Sequence, residues 1–291
     1  MKRLLLTGAS GFLGWNLAQL TSKTWEVFGT YFCHSPSVKG IESFKVDLRD
    51  FQAVKDLFNT VRPEAVIHTA ASSQPNFCEL HPKESHEINV SATCNLAGLC
   101  ADTGIPFVFT STDLVFNGLN PPYRELDPVC PVSMYGEQKV MAELGVLERY
   151  PEAVVCRMPL MFGEAGPTAT SFLQPMLAKL RSGERLRLFV DEFRTPVSGK
   201  TAASGLLLAL EKGRGLLHLG GRESLSRYEF FELAIAVFEL NNAAIAPCFQ
   251  KDVKMAAPRP PDVSLDSFKA VALGYQRPTL REELEQVRFK V

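Results

Sequence analysis

The sequence predicts an α/β fold: a doubly wound parallel sheet followed by a smaller C-terminal α/β layer. Three observations carry that expectation. Short apolar runs alternate with helix-period segments through the first 160 or so residues, which is the pattern of a parallel sheet with helices on both faces. The first apolar run, LLLT, breaks into glycines at Gly8, Gly11 and Gly14. After Gly163 the strict alternation lapses, so residues 1–163 form the sheet domain and 164–291 mainly the second layer, with about 186–221 expected to return to the first.

Each element follows from its local pattern. LLLT, WEVFGTYF, FKVDL, AVIHTAA, PFVFTST and AVVCRMPLMFG are apolar, β-branched or aromatic runs of strand length. Between them lie helical patterns: FLGWNLAQLTSK, DFQAVKDLFNTV, a long segment from about His86 to Asp102, and MYGEQKVMAELGVLER from about Met134 to Arg149. Gly104 before Pro106 ends the third of these, and Pro151 the fourth. Beyond Gly163 come an amphipathic helix in TSFLQPMLAKLRSG, the extended LRLFVDEFRTPVS, a helix in GKTAASGLLLALEKG and the strand GLLHLGG. In SRYEFFELAIAVFEL, Ser226 with Glu229 three residues on makes a capping box. The proline-rich tail holds two short helices.

Composition narrows the partners. With 291 residues and a formal net charge of −1, the chain can bury a substantial core but offers no electrostatic footprint for nucleic acid or an anionic membrane surface. No run approaches a membrane span, and the three leucines after Arg3 fall short of a signal peptide's apolar core. Seven cysteines, an odd number without a CxxC pair, fit a reducing, cytoplasmic setting; Cys94 and Cys100 in a helical segment and Cys156 in a strand read as small buried hydrophobes, and no metal site is expected.

The candidate chemistry lies at strand ends. Taken alone, the glycine turn is either a phosphate cradle or an ordinary strand-to-helix connection; its strand–turn–helix–strand context favours dinucleotide binding. Gly8, Ser10, Gly11, Phe12, Leu13 and Gly14 then face the pyrophosphate. The second strand runs into TYFCHSPS, which has no acid to hold a ribose 2′-hydroxyl, so His34 and Ser35, with Lys39 nearby, favour NADP(H) over NAD(H). Asp47, followed by Leu48, could accept from the adenine amino group or, like Asp50, cap the next helix. The small Ala70 and Ala71 let a ligand approach the end of the fourth strand, while His68 reads as a packed core histidine. Tyr135 and Lys139 stand at i and i+4 on one helix face, where an ammonium would lower the phenol's pKa toward neutrality. Thr112 ends the fifth strand and could hold a carbonyl beside that phenol.

Together, TGASGFLG, Ala70-Ala71, Asn89 in INVSAT, STD at Ser111 to Asp113, the Tyr135–Lys139 pair, RMPLMFG, RTPVS at Arg194 to Ser198 and PRPPDVSLD resemble the extended short-chain dehydrogenase/reductase family over nearly the whole chain. Within it the chain is most similar to the dTDP-4-dehydrorhamnose reductase branch, which also contains the regulatory beta subunit of methionine adenosyltransferase. The resemblance implies a Rossmann domain over 1–163 and a nucleotide-sugar-binding layer over 164–291, and it is compatible with a homodimer. It implies that Thr112 orients a substrate carbonyl, Tyr135 supplies a proton, and Lys139 holds the nicotinamide ribose. Asn89 and Met158 would shape the nicotinamide site, Asp113 and Arg194 would face the substrate, and Arg194 would meet its phosphates. The residue-level alternative for Arg194 is a salt bridge to Asp191 or Glu192. Leu114 stands where family dehydratases carry a glutamate, which argues against dehydration. The implied activity is NAD(P)H-dependent reduction of a nucleotide-linked 4-keto sugar. Sugar-nucleotide 4-epimerisation and a non-catalytic, cofactor-binding regulatory role are the alternatives.

Overall fold

The computed structural model describes residues 1–291. The chain begins β1 (Arg3–Thr7), α1 (Phe12–Thr21), β2 (Glu26–Tyr31), β3 (Ile41–Lys45), α2 (Phe51–Val61), β4 (Ala65–His68), α3 (Pro75–Leu80) and α4 (Pro82–His86). One π-helical turn, Glu87–Ser91, joins α4 to α5 (Ala92–Thr103). Then follow β5 (Phe107–Thr112), α6 (Met134–Arg149), β6 (Val154–Met158), β7 (Met161–Phe162), α7 (Leu173–Arg181), β8 (Leu186–Phe189), β9 (Phe193–Arg194) and β10 (Val197–Ser198). The chain closes with α8 (Gly199–Lys212), β11 (Gly215–His218), β12 (Leu225–Ser226), α9 (Arg227–Phe238), β13 (Ile245–Cys248), α10 (Phe268–Leu273) and α11 (Leu280–Val287).

Seven strands form one parallel sheet in the order β11-β6-β5-β4-β1-β2-β3. The strand order reverses between β1 and β4, the crevice where open α/β sheets take ligands. Alternation along β1 shows how the sheet is buried on both sides. Leu4 and Leu6 pack with Leu13 and Leu17 of α1 and with Ala202 and Leu206 of α8; Leu5 packs on the other face with Leu57 of α2, Leu96 of α5 and Val146 of α6. A third cluster, with Phe162, Leu177, Phe230, Phe231 and Leu284, is the core of the C-terminal layer.

Helix ends follow the sequence signals. Asp50 caps α2 by accepting from Ala53 N–H, Ser226 and Glu229 form the expected capping box on α9, and Gly104 ends α5 with φ 66°. Within 186–221, α8 and β11 join the large sheet, whereas β8 pairs with β13 and β10 with β7, outside it. The short runs around β8 have too few residues for their partner to be read from periodicity. The long helical segment around His86 differs from its sequence pattern in one respect: the π turn at Glu87–Ser91 interrupts it at Asn89. No helix is long and apolar enough to cross a membrane.

Candidate active site

A cavity of about 960 Å³ lies along the carboxyl ends of the sheet strands. It runs from the β2 and β3 exits, past the glycine turn after β1 and the Ala70-Ala71 exit of β4, to β5, α6 and the C-terminal layer.

The glycine turn is built by close contact. Gly8 has φ +70°, and a Cβ there would come within 2.8 Å of the Ala70 backbone; a Cβ on Gly14 would lie 2.1 Å from Gly8 O. Only glycine fits these positions, and a small Ala70 follows from the same crowding. Helix α1 starts at Phe12 with Gly11 as N-cap, no side-chain cap and no acid in its first turn. Its first N–H groups therefore lack intrahelical partners at the cavity wall, which is how a helix terminus receives a phosphate. These residues fit a dinucleotide pyrophosphate.

Of the cofactor-facing residues expected from the sequence, Gly8, Ser10, Gly11, Phe12, Leu13, Gly14, Asp47, Leu48, Ala70, Ala71 and Met158 line this cavity. His34 and Ser35 do not: after β2 the chain turns back toward β3, leaving both exposed, with Ser35 beside the Ser43 hydroxyl at 3.4 Å. Asn89 is also outside the wall and fully buried. Its amide accepts from Ser72 N–H at 2.9 Å and donates to Ser72 O at 3.1 Å and Gln138 Oε1 at 2.9 Å. The π turn thus lets Asn89 hold the loop after β4 against α6. Asp47 caps no helix, since Asp50 does so; its carboxylate accepts from Arg49 Nη2 at 2.7 Å, from Arg49 Nε at 2.9 and 3.1 Å, and from the Arg49 backbone N–H at 3.0 Å. That contact holds Asp47 below the usual carboxylate range.

At the other end Thr112, Asp113, Tyr135 and Lys139 meet, all buried and all on the cavity wall. Ser133 caps α6, and Tyr135, Lys139 and Glu143 follow one another along its buried face. Glu143 pairs bidentately with Arg157 of β6, at 2.7 and 3.0 Å, and accepts from the Ser111 hydroxyl, which ties the helix to the strand ends. Lys139 Nζ donates to Thr110 O at 2.7 Å and lies 4.5 Å from the centre of the Phe109 ring. Burial pushes its pKa down to about 7.

The phenol departs from the sequence expectation. Burial raises the Tyr135 pKa, with Cys78 and Asp113 adding to the effect and the Thr112 hydroxyl opposing it. Lys139 does not offset this: its Nζ is turned to Thr110 O and the Phe109 ring, and burial dominates the phenol. His68 is a core histidine: its ring bonds Thr7 at 2.6 Å and Thr93 at 2.9 Å, and burial pushes its pKa down to about 3.

Arg194 is engaged by two carboxylates, the expected Glu192 and also Asp113. It stands 2.5 Å from Asp113 and 3.7 Å from Glu192, while Asp191 instead accepts from Gln250 N–H. Burial opposes its charge, but Asp113 and Glu192 outweigh that and raise its pKa. Glu192 also pairs with Arg227 at 3.2 Å, giving an alternating chain Asp113–Arg194–Glu192–Arg227 along the wall. The contact to Asp113 is made through its Oδ2 and the one to Glu192 through Arg194 Nε, so both ends of the guanidinium are held by carboxylates. Arg259 completes this end, donating to Ala257 O and Asn76 Oδ1, both at 3.1 Å, with no carboxylate within ion-pair range. Glu192 is the partner the sequence offered for Arg194, whereas Arg227, Arg259 and Arg49 join the site without having been singled out. PRPPDVSLD is the one pointer to Arg259 in the sequence, and Arg227 and Arg49 carry no local pattern.

A doubly wound sheet, an uncapped glycine turn at its switch point, and a Thr-Tyr-Lys group at the end of β5 define a protein of the extended short-chain dehydrogenase/reductase type, in its dTDP-4-dehydrorhamnose reductase branch. The chain belongs to the RmlD substrate binding domain family, whose model matches residues 1–290. It is 30% identical to methionine adenosyltransferase 2 subunit beta of Mus musculus, over 98% of this chain and 86% of that one. It is also 30% identical to the probable low-salt glycan biosynthesis reductase Agl14 of Haloferax volcanii, over 96% and 95%. Among solved structures, a dTDP-4-dehydrorhamnose reductase from Clostridium acetobutylicum superposes with a TM-score of 0.85 at 25% identity, covering 98% of both chains.

Proposed function

We propose that the protein is an NAD(P)H-dependent reductase of a nucleotide-linked 4-keto sugar, of the dTDP-4-dehydrorhamnose reductase type. The observation that carries this reading is the meeting of Thr112, Tyr135 and Lys139 on the wall of the same cavity as the glycine turn, with a phenol that is protonated at neutral pH and so able to donate to a carbonyl oxygen. A bound nicotinamide cofactor supplies the hydride. Gly8 to Gly14, with Ala70, would hold its phosphates, and Lys139, Tyr135 and Met158 would place its ribose and nicotinamide. Thr112 and Tyr135 orient the substrate carbonyl, and Tyr135 releases its proton to the oxygen as negative charge develops there. Arg227 and Arg259 give the C-terminal wall positive charge for a nucleotide diphosphate.

Leu114 packs against Cys78 and Tyr135, so no second acid stands next to Asp113 and elimination of water has no base there. NADP(H) is the preferred cofactor in this reading, and the protein acts in the cytoplasm, where its seven free cysteines suit a reducing medium. The test is loss of NADPH absorbance with dTDP-4-dehydrorhamnose. Turnover abolished by Tyr135→Phe is the expected result; turnover unchanged in that variant refutes the mechanism.

The relationship to the methionine adenosyltransferase subunit favours a second reading, a regulatory subunit that binds the cofactor and catalyses nothing. A stoichiometric partner enzyme recovered on pull-down, with no reduction of any keto sugar in a panel, would select it.

A further inference from the structure

The adenosine end of the cavity contains a charged pair that carbonyl reduction does not use. β2 leaves the sheet at Tyr31, and Phe32, Cys33, His34 and Ser35 bring no carboxylate to the place where an acid would hold a ribose 2′-hydroxyl. β3 runs beside β2 with Lys45 opposite Tyr31, and Val46 N–H donates to Tyr31 O at 3.0 Å. That bond lays Asp47 to Arg49 against the β2 exit. The Arg49 guanidinium sits 5.5 Å from the centre of the Phe32 ring, and both residues line the cavity together with the glycine turn. Arg49 therefore places its charge at the exit where the acid is missing.

We infer that Arg49 is the residue of this chain that reads a cofactor 2′-phosphate, releasing Asp47 to the adenine amino group as it does so. This rests on the dinucleotide-binding reading of the site and specifies it further. Arg49 and Asp47 are each about one-third exposed, at 32% and 36%, so their bond exchanges readily. An adenine amino group arriving at Asp47 competes with the guanidinium for the carboxylate. A 2′-phosphate then offers the freed fork two parallel acceptors, the pairing a planar guanidinium makes best. With NADH, one of the two groups is left to water. The other charges acting on Arg49 are acidic: Glu84, which lines the cavity, and Glu87 in the π turn. Asp47, Glu84 and Glu87 would all repel a 2′-phosphate, so preference for it rests on Arg49 and should reverse when Arg49 is removed.

The experiment measures dissociation constants of NADPH and NADH, by nicotinamide fluorescence and calorimetry, for the wild type, Arg49→Met and Arg49→Lys. The wild type is expected to bind NADPH about tenfold or more tighter than NADH, the range set by one charge-assisted contact. In Arg49→Met, NADPH should weaken by more than its wild-type margin over NADH, about thirtyfold or more, while NADH stays nearly unchanged, so that NADH becomes the tighter ligand. Arg49→Lys, which keeps the charge but loses the fork, should fall between. Equal affinities in the wild type, or equal weakening of both cofactors in Arg49→Met, overturn the inference. Failure of the wild type to bind either cofactor would instead overturn the functional reading on which it stands.

Discussion

The two ends of the cavity use the same pairing, an arginine with an aspartate, in opposite physical settings. At the adenosine end, Arg49 and Asp47 are about one-third exposed, and water screens their attraction. At the chemical end, Arg194 and Asp113 are 7% and 2% exposed, and Arg194 continues through Glu192 to Arg227. An exposed pair is worth little and can be exchanged for a ligand; a buried pair holds one geometry and is costly to break from one side. Recognition and chemistry thus sit on contacts of different stiffness, although both belong to one cavity.

The largest expected effect tests the stiff end. Tyr135→Phe removes one hydroxyl, so its cost to the fold should be small, but the proton donor is lost. Turnover should fall by roughly 10²–10⁴-fold or more, with NADPH affinity nearly unchanged by fluorescence titration. Comparable losses in turnover and in cofactor affinity would show that the hydroxyl organises the whole site instead of acting at the substrate.

The next substitution breaks the buried pair. Arg194→Met leaves the Asp113 carboxylate in the wall without its counter-charge, which should cost about 3–5 kcal/mol of stability, read from urea unfolding. Asp113→Asn combined with Arg194→Met should recover part of that loss, because no uncompensated charge then remains. If the double variant is no more stable than Arg194→Met, charge burial is not what the pair contributes.

A pH experiment separates the same end from the rest of the molecule. Folding lowers the Lys139 pKa from its ordinary value near 10.5 to about 7. Between those values the unfolded chain binds a proton that the folded chain does not, so stability rises with pH across this window and is lost as pH falls to about 7. Below that both states are protonated and the term is constant. From pH 7 to 9 the wild type should gain about 2–3 kcal/mol relative to Lys139→Met, by denaturant unfolding at each pH. An unchanged difference between the two proteins would place the lysine proton elsewhere.

How far the sequence could be read follows the same division. The sheet, its helices and the glycine turn were legible because they rest on local rules: alternation in β1, the caps at Asp50 and Ser226, and the crowding that demands glycine at Gly8. The Tyr135–Lys139 pair was legible as a spacing, but its electrostatics were not, since burial decides them. The Asp113–Arg194 pair joins residues from β9 and from the turn after β5, and no periodicity links positions so far apart. Arg49 was hidden for a related reason. The sequence points to the loop of His34 and Ser35 for a 2′-group, yet the chain turns away there and β3 brings Arg49 in from the side.

The smallest expected effect completes the comparison at the soft end. Arg49→Met, the same chemical change as at Arg194, breaks an ion pair whose carboxylate already meets water. Asp47 then hydrates, and the cost to stability should stay within about 1 kcal/mol. Raising the salt concentration should shrink even that difference, whereas it should leave the Arg194→Met loss nearly unchanged, because buried charges are poorly screened. Two arginine-to-methionine variants, unfolded in low and high salt, therefore test the contrast directly. A cost at Arg49 as large as that at Arg194 would mean that the adenosine end is built as rigidly as the chemical end, and that Arg49 is a structural strut of the β3 exit.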